Sequence, residues 1–278
     1  MTQKDGGQAV ATTQQGGALA TTQELSFNLP ALSDPQEAME VMADNLSELG
    51  GNLRFDKVKI PSGGGLSLEV IDDNGEAKPA SELVGVVLDH YPINAFWEGK
   101  YTGENNPPDC SSMDGITGFT KDDTAFEYPI KCKDCPKNQW GSDPEGGKGK
   151  ACKNMIRIYI VEEGNAFPVL LALPPTSTGN WRDYMKRLAG KMKSIYGVVT
   201  KVKLEKDKSE GGISYSKATF SKADELRPEE RQAIKAYAQQ LKSAMRTVAI
   251  DSREYDVAPE TDGSEGGASG QDGEDNPY

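Results

Sequence analysis

Histidine occurs once in this 278-residue chain, at His90. It is the commonest general base and metal ligand, so one copy leaves most hydrolytic mechanisms without a partner. With Tyr91 and Pro92 beside it, His90 reads as a rim residue at a strand end. No run of about 18 apolar residues occurs, which excludes a membrane-spanning helix. No phosphate-binding Gly-x-x-x-x-Gly-Lys-Ser/Thr, no Gly-x-Ser-x-Gly and no His-Glu-x-x-His is found. Aromatic residues are 7% of the chain and mean hydropathy is −0.61. The first residues, Met-Thr-Gln-Lys-Asp-Gly-Gly-Gln, lack the apolar core of a secretory signal, so a cytoplasmic location is expected.

Cysteine is scarce too, and it is not scattered. All four lie between positions 110 and 152: Cys110, the pair Cys132-Lys133-Asp134-Cys135, and Cys152. Between them Gly, Pro, Asn, Asp and Lys dominate, and such a stretch cannot hold one shape by apolar burial. Four thiolates on one ion would fix it. Cys110, Cys132, Cys135 and Cys152 therefore read as a tetrahedral zinc site, with sulfurs about 2.3 Å from the metal. Two disulfides would suit a secreted protein, which nothing here indicates. An iron–sulfur cluster uses the same ligands and stays open.

The formal charge is −12, which taken whole argues against nucleic acid. The charge is unevenly distributed, however. Residues 121–208 carry 17 Lys/Arg against 11 Asp/Glu, whereas residues 254–278 carry eight acids and no base.

Residues 1–28 are polar and without period, and are expected to be a disordered leader. A domain over 29–250 follows, with 109–153 inserted in it, and then a disordered acidic tail over 251–278. Ser33 to Gly50 predicts a helix with Met39, Met42, Leu46 and Leu49 on one face. Leu53–Ile60 and Leu66–Val70 alternate and predict a hairpin across Pro61–Gly65. Further strands are expected at Leu83–Leu88 reaching Trp97, then Met155–Val161, Phe167–Leu173, Tyr196–Leu204 and Ile213–Phe220. Helices are expected over Thr176–Lys193, capped by Thr178 or Asn180, and over Pro228–Val248. The sum is mainly β with flanking helices (α+β). An OB-like antiparallel barrel with a zinc-ribbon insertion fits this order; an open antiparallel sheet with helices on one face is the alternative.

Single-stranded nucleic acid needs cations for phosphates and flat rings for bases. Lys131, Lys137, Lys148, Lys150, Lys153 and Arg157 crowd the cysteines, and Arg182 and Lys186 lie on the polar side of the 176–193 helix. Tyr91, Trp97, Tyr101 and Trp140 are the candidate stacking rings. Trp140 has an alternative role as a cap over the cysteine knuckle. Gly146-Gly147-Lys148-Gly149-Lys150 reads as a basic strap against phosphates. The acidic tail ends in an aromatic: Asp272, Glu274, Asp275, Pro277 and Tyr278 suit a basic pocket on a partner.

Together, the four-cysteine insertion, basic middle and acidic tail resemble phage-type single-stranded-DNA-binding proteins. The insertion is similar to the ribbon in a barrel of the eukaryotic replication protein A large subunit. The tail resembles acidic recruiting tails, although those usually end in Phe. The resemblance implies a non-catalytic DNA coat with structural Zn2+, recruiting replication or recombination proteins through its tail, in a bacterial cytoplasm if phage-encoded. Two other readings stay open: a zinc-ribbon protein-interaction adaptor, and a nuclease drawing metal ligands from Asp89, Asp109, Asp114, Asp122 and Asp123.

Overall fold

Strands that are apolar on both faces must be covered on both faces, and that requirement shapes this fold. The computed structural model describes residues 27–33, 35–46, 54–99, 106–121, 129–144, 146–209 and 211–250. In chain order the helices are α1 (Pro30–Ser33), α2 (Pro35–Leu46), α3 (Pro175–Gly190) and α4 (Pro228–Thr247). The strands are β1 (Lys57–Val58), β2 (Leu68–Ile71), β3 (Ala77–Ala80), β4 (Leu83–Phe96), β5 (Cys110–Ser112), β6 (Thr117–Thr120), β7 (Ile130–Lys131), β8 (Lys153–Glu162), β9 (Val169–Leu173), β10 (Val198–Lys208) and β11 (Ser214–Glu225).

The main sheet runs β1-β9-β8-β4-β5-β6-β7, with β10 also on β4 and β11 on β10. β4 organises it. One edge of β4 pairs with β8 from Gly85 to Ala95. The other edge takes β10 at Leu83–Val86 and β5 at Asn94–Phe96. The sheet therefore forks into a β10–β11 arm and an arm carrying the cysteines. Gly85 sits where β4 is held between β8 and β10. A Cβ there would lie 2.3 Å from the Val161 carbonyl oxygen, so no side chain fits.

On β8, Ile156, Ile158 and Ile160 face one side, where Trp181, Tyr184 and Leu188 of α3 cover them. Met155, Tyr159 and Val161 face the other, beneath Ile234, Tyr237, Ala238 and Met245 of α4. Leu88 is an extra residue between Val87 and Asp89 in the β4–β8 register. The bulge turns Asp89 towards α4, where Arg246 Nε lies 2.7 Å from Asp89 Oδ2, and turns His90 against Trp181.

The expected class, mainly β with few helices, matches. The strand path is open, and no closed barrel forms among the described strands. Helices cover both faces, not one. Of the expected 53–60/66–70 hairpin, only one antiparallel bridge forms among the described residues, Lys59 with Glu69, each amide donating to the other's carbonyl at 3.0 Å. β1 pairs parallel with β9, and β2 pairs with β3 across the Asp72–Gly75 turn. α3 follows Pro174 without a side-chain cap. Asn180, expected to cap it, reaches the Ala218 carbonyl instead. Phe27 is buried in the core, two residues before the expected domain start. Residues 1–26 and the tail lie outside the described residues. Among those described, no helix is long and apolar enough to cross a membrane.

Candidate metal centre and nucleic-acid interface

Three separate segments bring the cysteines together. Cys110 opens β5, where it pairs with Phe96 on β4 and Thr120 on β6. Cys132 and Cys135 bracket a single 3-10 turn directly after β7. The Cys132 amide donates to Ile116 O at 2.8 Å, tying the knuckle to the β5–β6 hairpin. Asn138 closes the knuckle from below: its amide N donates to Cys135 O (3.0 Å), and its side chain to Cys132 O (2.8 Å). Cys152 leads into β8, its amide donating to Lys137 O at 2.8 Å.

All four thiols line one cavity of about 350 Å3, shared with Asn94, Phe96, Asp109, Gly118 and Lys137. Gly118 is the floor. A Cβ at that position would stand 3.3 Å from Cys110 Sγ and 3.5 Å from Cys132 Sγ, so the two sulfurs meet where a side chain is missing. Burial raises the Cys110 thiol pKa, and the nearby Cys132 and Cys135 sulfurs add to it. Burial pushes Cys152 up to about 12, with further contributions from Cys132, Cys110 and Cys135. Among the described residues no three or more His, Cys, Asp or Glu side chains are grouped so as to hold a metal ion in this conformation. The donor set and the glycine floor fit a thiolate-bound metal; the thiols have to draw inward to grip one.

No family, curated protein or solved structure matches this chain.

Trp140 is 81% exposed and does not line the cysteine cavity, which argues against its alternative role as a cap. Lys131, Lys137 and Lys148 are exposed on the same insertion. The Lys137 ammonium lies 5.0 Å from the Phe96 ring centroid. The Gly-rich strap is fastened to the Trp140 turn: Gly141 N donates to Gly149 O (2.9 Å) and Lys148 O (3.2 Å). Lys153 is half-buried at the start of β8.

Other candidates fall elsewhere. Arg157 is fully buried, with its guanidinium on the carbonyls of Val248 (2.5 Å) and Ala249 (2.9 Å), so it is no phosphate contact. Tyr91 is 3% exposed and donates to Met245 O, so it is no stacking platform. Trp97 is half-buried against the α4-side core and donates to Asn106 O. Arg182 and Lys186 are exposed on α3, which packs on β8, β9 and β11 and not on the cysteine arm. Tyr101 and the tail residues Asp272, Glu274, Asp275, Pro277 and Tyr278 lie outside the described residues.

The candidate nuclease acids that are described are each engaged. Asp89 holds Arg246. Asp109 pairs with Lys121 and accepts from Glu98 N; first Lys121, then that amide, hold its carboxyl below the usual range. Asp114 Oδ1 accepts from Ser112, Ile116 and Thr117, closing the β5–β6 turn. Asp122 and Asp123 lie outside the described residues. His90 packs edge-on to Trp181, and burial lowers its pKa. Sequence reasoning passed over Asn94 and Asn154. The signal was there: each is an amide beside an apolar run of its strand.

Proposed function

We propose that this chain binds single-stranded DNA without cutting it, on the cysteine-bearing arm. Cys110, Cys132, Cys135 and Cys152 would hold a structural Zn2+ there. The observation that carries this reading is the convergence of four thiols on one cavity in an insertion that also carries one nearly bare indole and exposed lysines. A bound zinc would tie the three segments together and contribute its binding free energy to the fold of the arm. The DNA surface is an arm of an open sheet, not the groove of a closed barrel. Trp140 offers a face to a base, and Lys131, Lys137 and Lys148 offer charge to phosphates.

Anisotropy of a labelled dT oligomer across a salt series, with duplex as control, tests this. The expected result is preference for the single strand and steep loss of affinity with salt. Replacing Lys131, Lys137 and Lys148 together by Ala should lower the slope of log K against log salt by about 2. Equal affinity for duplex and single strand, or none at low salt, rejects the reading.

We further propose that the tail tip recruits replication or recombination proteins. A chain ending at Ile250 should keep dT binding and lose capture of such proteins after nuclease treatment. Unchanged capture refutes the recruiting role.

A further inference from the structure

Lys150 was expected to meet phosphate, but its donors point elsewhere. Its ammonium donates to Asn138 Oδ1 at 3.2 Å and Asn154 Oδ1 at 3.1 Å, and stands 5.3 Å from the Trp140 ring centroid. An ammonium has three N–H groups, and two amide oxygens and one ring face account for them. Each partner is itself fixed. Asn138 is bonded to Cys132 O and Cys135 O in the knuckle. Asn154 donates to Asn94 Oδ1 at 2.7 Å, across the β4–β8 ladder. Asn94 in turn donates to Gly115 O at 3.1 Å, at the tip of the β5–β6 hairpin. The backbone after Trp140 is braced as well: Ser142 Oγ donates to Lys137 O and accepts from Ala151 N.

We infer that Lys150 is a positioning residue, the joint that links the cysteine knuckle and the sheet to Trp140 and holds that ring ready to stack on an unpaired base. This rests on the strand-binding reading above. A ring held in place before binding loses less freedom when a base lands on it, so the joint raises affinity without touching the strand. Because Asn138 belongs to the knuckle, the same joint couples the order of the cysteine site to the stacking surface.

The test uses the full chain labelled with 5-fluorotryptophan, the Trp140 resonance being assigned by Trp140→Phe. Lys150→Met is expected to shift and broaden the Trp140 resonance and leave those of Trp97 and Trp181 in place. Asn154→Ser, which cuts the joint from the sheet side, should do the same. Lys150→Met should weaken dT binding about tenfold, within the range of one lost stacked base. It should leave the salt slope unchanged and add no further loss to Trp140→Ala. An unmoved Trp140 resonance overturns the proposal. So does a salt slope lowered by about 0.7 with additive losses, because that marks a direct phosphate contact. If the unaltered chain does not bind dT, the strand-binding reading falls, and the fluorine spectrum alone still decides whether Lys150 holds the ring.

Discussion

Cys132→Ser should abolish stoichiometric metal binding and unfold the cysteine arm while leaving the sheet and its two helical covers intact. The reason lies in where the apolar core is. The two buried clusters draw on β1, β2, β4, β8, β9, β10, β11, α1, α3 and α4, and neither takes a fully buried member from the described residues of 106–152. Among its described residues the arm contributes three short strands, two 3-10 turns and glycine-rich loops. Backbone order costs about 1–2 kcal/mol per residue, and burial on this arm is too sparse to offset that. Cys132 is 6% exposed and sits at the meeting of the knuckle, the β5–β6 hairpin and Gly118. Serine supplies no thiolate, and three remaining sulfurs bind zinc more weakly by at least about 100-fold. Metal content after gel filtration should fall from one per chain to near zero. Limited proteolysis should then cut within 106–152, while the main thermal transition survives. Unaltered protein purified without zinc or iron, or a Cys132→Ser chain retaining one metal, sinks the metal centre.

How much of this was legible beforehand differs from residue to residue. That the four cysteines approach one cavity was readable, because thiol spacing is a local signal and the sequence around it offers nothing else to fix the chain. β8 was legible as a strand but not as to its sides. In Met-Ile-Arg-Ile-Tyr-Ile-Val, an arginine between isoleucines reads as a cation on a solvent face; here there is no solvent face, and the alternation rule fails. The same fault misplaced Tyr91. Local periodicity also cannot name a distant partner. The 53–60 stretch pairs across more than a hundred residues with β9, in parallel, a choice its own alternation does not record. β3 was missed because Ala-Lys-Pro-Ala has a proline and no branched residue, which only an edge strand tolerates. Barrel closure was likewise beyond the sequence. It depends on how β4 divides its edge between β10 and β5, a pairing between distant segments that no local pattern records.

Arg157 supports the second large expectation: Arg157→Met should cost about 3 kcal/mol or more of stability, well above the usual surface substitution. The side chain is 0% exposed. Its two terminal nitrogens satisfy Val248 O and Ala249 O, just past the end of α4. Tyr91 and Tyr159 both donate to Met245 O, one turn earlier. These groups do for α4 what a glycine cap does elsewhere, by giving its last carbonyls donors from the sheet. A cation also suits the negative end of the helix dipole. Methionine keeps most of the volume but donates nothing, so the two carbonyls lose their donors and the tie between β8 and the end of α4 is cut. In a domain of this size each kcal/mol moves the midpoint by about 2–4 °C, so thermal unfolding should fall by at least about 6 °C. Arg157→Lys, with one compact ammonium in place of the fork, should fall in between. Both variants should leave the salt slope of dT binding unaltered, since the guanidinium meets helix carbonyls and no phosphate. An Arg157→Met chain as stable as the parent would show that the end of α4 is held by the tyrosines alone, and a reduced salt slope in Arg157→Met would return Arg157 to the DNA surface.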